Sequence, residues 1–539
     1  MIKRNEFILV LALLAIFYGL AIFPSIRGPF SFEDDHVYVK CANTDMGYFH
    51  KYENKSDYNN LLRLNLIHIR DGRFYPLTLT AIWTIARLTH ADPLIAHLFV
   101  YLLGLGSGLF FFLFLRKLEL SFLTSLVFSA LLLGGDYDEM WYRRNGETLG
   151  VFFLVAALYF LLRSVKEDKK KFTWIGFSAL FFSALSKESF TVLIPVVALL
   201  HIYMYAWKRE VPMLHAVRQL GNEILVYCLL LAICLAGICY ALFVEKEMFA
   251  SSSSFFNREI LAINVRLLAG NFVYWIPVIL FFPFLPLMNG KVKKNIPLLL
   301  LAWVLWLSSQ LLVYKDTEII PFCRYLMPGL LFLLIVSAVS ADRLLSVGKK
   351  YIYVACIVIL IGQVGVHWKN LFLNSYFHAH RATAYQQMMD HVCAGNPEEV
   401  AILIGKGECY EFISSTTVQL SVRGLNVPIH FVEIADSGRA REFDIPQIIQ
   451  NGDMIDKTPY VSADSLLNSI RDNTKIRSLM FATPAGSGRL QPDNYMKGFS
   501  NRREFSESYY TSSFHTLFSE DWKKTFLPEK TVTYVCLSR

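Results

Sequence analysis

Residues 7–36, FILVLALLAIFYGLAIFPSIRGPFSFEDDH, place a cluster of acidic side chains directly after a long apolar segment. The apolar part, 7–23, is long enough to cross a bilayer as a helix, which rises about 1.5 Å per residue. Glu33, Asp34 and Asp35 follow where this span would emerge. Carboxylates at a membrane boundary can be merely solvated. A long polar, aromatic-rich stretch and many further apolar segments come next, and this order favours a membrane-embedded enzyme with a catalytic acid in its first outer loop.

The composition excludes a soluble globular protein. The chain has 539 residues, of which 54% are hydrophobic and only 18% charged, and its mean hydropathy is +0.39. The net charge of +8 does not indicate a nucleic-acid partner, because most of the excess lies in short loops between apolar segments. Bilayer-crossing length predicts a multi-span α-helical membrane protein with about eleven transmembrane helices, at 7–23, 94–115, 121–135, 148–162, 172–186, 189–206, 224–244, 271–288, 296–314, 325–340 and 351–368.

The segment 75–90 decides the topology. It is apolar but short, and it ends in Arg87 and His90, so we interpret it as an interfacial amphipathic helix within a first outer loop at 24–93. The loops on the N-terminal side of the membrane then hold more than twice as many Lys and Arg residues as the opposite short loops. Cytoplasmic loops carry such an excess. The N-terminus is therefore expected in the cytoplasm and the C-terminal region outside.

The chain changes character near residue 371. Short apolar runs between turn residues replace the long ones, at 400–404, 429–434, 478–482 and 532–536, with helices expected at 379–393 and 462–472. This alternation predicts a small α/β domain. We therefore divide the chain into a membrane domain at 1–370 and an extracytoplasmic α/β domain at 371–539. The spacing of Cys393 and Cys409 permits a disulfide outside the cytoplasm.

Ionisable residues gather at the predicted outer ends of the spans. They belong to five short stretches: Asp34-Asp35-His36, Asp71-Gly72-Arg73-Phe74-Tyr75, Tyr142-Arg143-Arg144-Asn145-Gly146-Glu147, Ser186-Lys187-Glu188-Ser189 and Arg324-Tyr325.

Four of these stretches also fit a simpler, structural role. The aspartates could cap a helix, Glu147 could favour a helix N-terminus, Lys187 and Glu188 could form a polar turn, and Arg324 could anchor a span at the interface.

One chemistry joins these residues, namely glycosyl transfer from a lipid-linked phosphate. Breaking the bond between sugar and phosphate leaves negative charge on the phosphate, which Arg and Lys side chains stabilise in a dehydrated site. The acceptor hydroxyl must lose a proton, and a carboxylate within hydrogen-bond reach can take it.

The motifs resemble the GT-C superfamily of membrane glycosyltransferases, in the branch of protein O-mannosyltransferases and bacterial aminoarabinose transferases. The resemblance covers residues 1 to 340 and is carried by Phe32-Glu33-Asp34-Asp35-His36, by Ser186-Lys187-Glu188 before Pro195, by Arg324-Tyr325-Leu326-Met327-Pro328 and by Glu147. One element differs, because Gly72-Arg73-Phe74-Tyr75-Pro76 stands where the aminoarabinose transferases have an acidic-Lys-Pro element. Donor and acceptor recognition therefore cannot be carried over.

The resemblance implies a role for each site residue. Asp34 is the expected base, with Asp35 and Glu147 orienting the acceptor or supporting the base. The expected phosphate ligands are Arg73, Lys187 and Arg324, with Arg143 or Arg144 in addition, and His36, Tyr75, Glu188 and Tyr325 are further candidates. The expected partners are a polyprenyl-phosphate sugar donor, membrane lipid, and a glycan, lipid or protein acceptor at a bacterial inner membrane. No metal and no cofactor are expected.

Two other functions stay open on the sequence alone. A transporter would place ionisable residues or broken helices at the bilayer midplane, whereas the predicted span centres are nearly free of charge. A glycan polymerase or ligase that uses a diphosphate donor would carry its large polar loop between late spans, whereas here that loop follows the first span.

Overall fold

The computed structural model describes residues 4–30, 36–42, 74–134, 139–142, 145–243, 327–347, 350–405, 410–425, 427–435, 438–443, 459–481, 499, 501–510 and 529–538. The chain divides into two compact units. The first unit contains Met1–Phe23, Leu64–Thr80 and Leu98–Phe372, and the second contains Pro24–Arg63, Ala81–His97 and Leu373–Arg539.

Helices make up the described part of the chain as far as residue 394. In chain order they are α1 Arg4–Arg27, α2 His36–Ala42, α3 Pro76–Thr89, α4 Pro93–Lys117, α5 Phe122–Leu133, α6 Glu139–Tyr142, α7 Asn145–Glu167, α8 Lys170–Ser186, α9 Glu188–Thr191, α10 Ile194–Arg209, α11 Met213–Gln219, α12 Gly221–Phe243, α13 Met327–Val347 and α14 Lys350–Ala394.

Among the described residues, five helical segments are long and apolar enough to cross a membrane. They are Arg4–Arg27, Pro93–Lys117, Gly146–Glu167, Glu188–Arg209 and Gly221–Tyr240. The prediction of a helical membrane protein with several apolar spans is therefore confirmed. The predicted spans at 271–288 and 296–314 lie outside the described residues, and the number eleven stays a prediction.

The helix ends predicted on the cytoplasmic side meet at one end of the first unit, which we term the basic end (residues 116–121, 163–171 and 209). Lys117 pairs with Glu167 at 2.8 Å and Arg209 with Asp168 at 2.8 Å. The backbone N–H of Ser121 donates to Asp342 of α13 at 2.8 Å. These contacts bring the helix ends into one cluster, and the side of the membrane on which this cluster lies stays a prediction.

Helix α3 does not cross the first unit. It has 14 residues and a length of about 21 Å, which is less than the roughly 30 Å of a hydrocarbon core. Helix α4 runs parallel to α7, since Phe110 lies 5.9 Å from Tyr159 and Lys117 reaches Glu167. The start of α4 in this unit therefore lies at the end opposite to the basic end. Thr78 of α3 lies there too, bonded to Ser186, and the interfacial position of this helix stays a prediction.

A mixed seven-stranded sheet forms the core of the second unit. Its elements are β1 Glu399–Gly405, α15 Tyr410–Val422, β2 Ile429–Ile434, β3 Arg439–Phe443, β4 Val461–Ser462, α16 Ala463–Asp472, β5 Ile476–Phe481, β6 Asn501–Tyr510 and β7 Glu529–Ser538. The strands follow the order β4-β3-β2-β1-β5-β7-β6, in which β1, β2 and β5 are parallel and the outer strands are antiparallel. The predicted C-terminal α/β fold is confirmed.

The two faces of this sheet carry separate hydrophobic cores. Ile402 packs on the face covered by α14 and α15, with Tyr385 and Leu420, while Leu403 packs on the face covered by α16, with Ile470. Successive side chains of a strand point to opposite faces, so a continuous apolar run such as 400–404 serves both cores. Cys393, which the sequence left open as a disulfide partner of Cys409, is a free cysteine.

A histidine between two carboxylates joins three segments of this sheet. The His430 ring lies 2.9 Å from Glu399 through Nε2 and 2.6 Å from Glu442 through Nδ1. The Asn473 amide donates to Glu399 at 2.7 Å, and Lys475 lies 4.0 Å from the same carboxyl group. The hydrogen bonds to Glu442 and Glu399 raise the pKa of His430. The bond to His430 and the neighbouring Asn473 and Lys475 lower the pKa of Glu399.

We predict that this cluster makes the stability of the sheet depend on pH. A raised His430 pKa stabilises the folded state below the ordinary value of 6.5, and this contribution is lost as pH rises through the folded pKa. A lowered Glu399 pKa stabilises the fold above the ordinary value of 4.5, and this contribution is lost as pH falls through the folded pKa. Both contributions are complete only between these two values.

The test is hydrogen–deuterium exchange of the 427–435 segment in the intact protein between pH 4 and 9, corrected for intrinsic exchange. In the parent, the exchange rate of this segment should rise above pH 6.5, and His430→Gln should remove that rise. His215→Gln, on the exposed side of α11, should leave the dependence of the exchange rate on pH unchanged. An unaltered profile in the His430 variant would contradict the assignment.

Candidate active site

A buried ion pair joins two of the predicted site residues. Lys187 Nζ bonds to the Glu147 carboxylate, and each residue is 7% exposed. Glu147 lies in the first turn of α7, and Lys187 is an extended residue between the last residue of α8 and the first residue of α9. The polar turn predicted from the sequence therefore contains a lysine that is buried together with its carboxylate partner. We term this part of the first unit the Lys187 end.

Close packing between α7 and α8 holds the two partners in register. A Cβ at Gly150 would overlap the ring of Phe190, so glycine allows the α9 segment to approach α7. The Ser183 hydroxyl donates to the Gly150 carbonyl at 2.8 Å, and the Ser186 hydroxyl donates to the Phe182 carbonyl at 2.7 Å. Each of these buried hydroxyls has a backbone acceptor, as buried polar groups require.

Trp141, two residues before Arg143, holds the chain at this end of the first unit. Trp141 is fully buried in α6, its indole N–H donates to the Leu132 carbonyl at 3.2 Å, and its own carbonyl accepts from the Tyr18 hydroxyl at 2.6 Å. On the other side, the Thr148 hydroxyl bonds back to the Met140 carbonyl. Arg143 and Arg144 lie outside the described residues, but the chain is fixed on both sides of them.

The acidic segment is flanked by anchored residues in the second unit. Phe30 stacks on Tyr38 of α2 at 5.5 Å between ring centroids, and its carbonyl accepts from the Gln386 amide at 2.6 Å. Helix α2 also packs against α15. Asp34 and Asp35 lie between Phe30 and α2, outside the described residues, and His36 is the first residue of α2.

The structure thus brings Glu147 and Lys187 together and leaves the other roles as predictions. Glu188 follows Lys187 and is half-buried, and Tyr75 precedes α3, with its carbonyl accepting from the Leu79 amide at 3.3 Å. Arg73, Arg324 and Tyr325 lie outside the described residues. Within the described ranges no three His, Cys, Asp or Glu side chains cluster as a metal site requires.

Sequence reasoning missed Thr78, whose hydroxyl donates to the carbonyl of Ser186 at 2.7 Å. A threonine in an apolar helix carries no sequence signal of its own, because such residues usually bond to their own helix. Its role depends on a contact across 108 residues, which no local pattern indicates.

We predict that either half of the Glu147–Lys187 pair is costly to remove alone. Glu147→Gln or Lys187→Met leaves one buried charge without its counter-charge, which costs about 3–5 kcal/mol. The double variant should be destabilised by less than the sum of the two, since it buries no lone charge. Unfolding of the two single variants and the double variant in mixed micelles, at increasing fractions of denaturing detergent, measures the free energy of unfolding of each relative to the parent.

Asp168→Asn is the matched control, because its pair with Arg209 is exposed on both sides. Exposed pairs contribute about 0–1 kcal/mol, so this variant should unfold like the parent. Additive single losses at Glu147 and Lys187 would show that the two side chains are not coupled.

Comparison with known proteins supports the fold over nearly the whole chain. No protein-family model and no curated protein sequence matches it. The crystal structure of ArnT from Cupriavidus metallidurans in the apo state matches with a TM-score of 0.50 and 12% sequence identity, over 98% of this chain and 97% of that chain. The structure of the same protein bound to undecaprenyl phosphate matches with a TM-score of 0.49, at 12% identity and with 99% and 98% coverage. The chain has the fold of ArnT over nearly its whole length, and the resemblance found in the sequence is confirmed at the level of the fold.

Proposed function

We propose that this protein is an integral membrane glycosyltransferase of the GT-C type. It moves one sugar from a polyprenyl-phosphate donor to an acceptor at the outer face of a bacterial inner membrane. The observation that carries the proposal is the buried Glu147–Lys187 pair, because an ammonium and a carboxylate are kept out of water at the end of a helical bundle with the ArnT fold. A purely structural protein gains little from such a pair, since apolar residues would pack there at lower cost.

The donor phosphate is the proposed ligand of Lys187. An ammonium group has three N–H donors, so its bond to Glu147 is compatible with further bonds to phosphate oxygens. Glu147 compensates the lysine charge before the donor arrives and fixes the direction of the side chain. Arg73, Arg324 and Arg143 or Arg144 are the proposed additional ligands, and Arg suits phosphate because its planar donors bind two oxygens at once. The proposed carrier lipid is undecaprenyl phosphate, the lipid bound in the second ArnT structure.

The proposed reaction is a single displacement at the anomeric carbon. Asp34 takes the proton of the acceptor hydroxyl, the new bond forms from that oxygen to the sugar, and the bond from the sugar to the phosphate oxygen breaks. The electron pair of that bond stays on the polyprenyl phosphate, where the cations stabilise it. Asp35 supports the base or orients the acceptor, and His36, Tyr75, Glu188 and Tyr325 are proposed to line the site.

The remaining assignments are proposals of the same kind. Residues 1–370 would form the catalytic membrane domain, and 371–539 an extracytoplasmic domain that shapes the acceptor groove. The N-terminus would be cytoplasmic. The acceptor class we propose is a cell-envelope glycan or lipid, such as lipopolysaccharide or O-antigen, with protein as the other candidate.

We predict that Asp34→Asn abolishes transfer. General-base catalysis contributes about 10²- to 10⁴-fold, and an amide cannot accept the proton. The measurement is transfer of radiolabelled sugar by purified protein in nanodiscs, from a panel of polyprenyl-monophosphate donors to a cell-envelope extract. Glu33→Gln, one residue earlier, is the matched control and should keep parental activity.

Three outcomes would overturn parts of this function. Near-normal transfer by folded Asp34→Asn would remove Asp34 as the base. Transfer from diphosphate donors alone would replace the proposal with a polymerase or ligase, and sugar movement without product would replace it with a transporter.

A further inference from the structure

Thr78 connects three helices at the Lys187 end, namely α3, α7 and α8. Its side chain is buried in the first turn of α3, and its hydroxyl donates to the Ser186 carbonyl at 2.7 Å. A Cβ at Gly146 would lie 3.5 Å from the Thr78 hydroxyl oxygen and 3.6 Å from the Ser186 carbonyl oxygen. Thr78 therefore contacts the residue before Lys187 and packs closely beside the residue before Glu147.

The Ser186 carbonyl is a group that requires an external partner. It belongs to the last residue of α8, and the last carbonyls of a helix have no partner within the helix. Lys187 leaves the helix in an extended conformation, and the Phe190 amide, four residues on from Ser186, donates to the Lys187 carbonyl at 3.0 Å. The hydroxyl of Thr78 supplies the donor, so the direction in which the chain leaves α8 depends on α3.

The start of α3 is itself fixed within the first unit. Phe74 packs against Gly237 of α12, where any Cβ would overlap its ring. The Thr80 hydroxyl, in contrast, bonds within its own helix to the Pro76 carbonyl at 2.8 Å. The start of α3 at Phe74 and the segment at Lys187 are thus connected through the hydrogen bond from Thr78 to Ser186.

We propose that Thr78 is a positioning residue that sets the direction in which Lys187 leaves α8, so that its ammonium group reaches the donor phosphate. This inference rests on the proposed function, in which Lys187 binds that phosphate. Thr78 acts through the Ser186 backbone, so it aligns the ammonium without touching the sugar. Loss of its hydroxyl should weaken donor binding and leave the base chemistry at the acceptor unchanged.

The test compares three variants of the full-length protein in nanodiscs. Thr78→Val keeps the shape and removes the hydroxyl, Thr78→Ser keeps the hydroxyl and removes the methyl group, and Thr80→Val removes the hydroxyl that bonds within α3. We expect the donor KM to rise about tenfold in Thr78→Val, in line with one lost hydrogen bond and an unsatisfied carbonyl. Thr78→Ser and Thr80→Val should keep the parental KM, and the pH profile of kcat should be the same in all variants.

A second measurement does not depend on activity. Lys187 is buried, so an amine-acylating reagent should modify it slowly, as followed by mass spectrometry. Thr78→Val should raise this rate several-fold, while the rate at exposed Lys208 stays constant. If Thr78→Val is too unstable to purify, Thr78→Ala serves in both assays.

Each outcome is decisive for one part of the proposal. Equal donor KM and equal Lys187 labelling in Thr78→Val and the parent would overturn the positioning role. Equal losses in Thr78→Val and Thr78→Ser would assign the effect to methyl packing and also overturn it. If Thr78→Val labels Lys187 faster than the parent does but the parent transfers no sugar, the contact of Thr78 with Ser186 stands and the proposed function is rejected. Faster labelling together with a raised donor KM supports both.

Discussion

The pairing of Glu147 with Lys187 away from water is the constraint on which the Lys187 end depends. Removing two charges from water costs several kcal/mol per ion, and only close geometry with further hydrogen bonds offsets that cost. The neighbouring structure supplies close packing and satisfies the surrounding backbone. Gly150 lets the Phe190 segment approach α7, the Ser183 and Ser186 hydroxyls satisfy carbonyls of their own helices or of α7, and Thr78 satisfies the end of α8.

The two ends of the first unit are built on different electrostatics. At the basic end the pairs are partly or largely exposed, as in Arg209 with Asp168. Such pairs exchange with water and are screened by salt. At the Lys187 end the described pair is buried away from water, so its electrostatic interaction with a charge that develops nearby is strong. This contrast separates an end that anchors helices from an end suited to charged chemistry, and it follows from burial rather than from sequence alone.

The sequence predicted those elements that a local pattern determines. The strand 429–434 was placed correctly, and five of the predicted apolar spans coincide with described helices that are long enough to cross a membrane. The sequence analysis divided α14 into a span and a separate helix because hydropathy falls after residue 368. The helix in fact continues to Ala394, and Ser375 and Tyr385 in this part form hydrogen bonds within the second unit. Strand β6 was missed because its charged sequence depends on pairing with β7. Of the site, the sequence predicted the residue types, but the pairing of Glu147 with Lys187 required the fold.

The pair also limits how charge can be distributed in the proposed site. Glu147 and Lys187 together carry no net charge, so Lys187 contributes directed N–H bonds more than electrostatic potential. A sugar phosphodiester carries one negative charge, and its cleavage adds a second to the leaving phosphate. Net positive charge for this step must therefore come from arginines, for which Arg73, Arg143, Arg144 and Arg324 are the proposed sources. Their permanent charge suits this role, because arginine stays protonated in a dry site. The proposed division of roles therefore assigns alignment of the phosphate to the lysine and stabilisation of its charge, as the bond breaks, to the arginines.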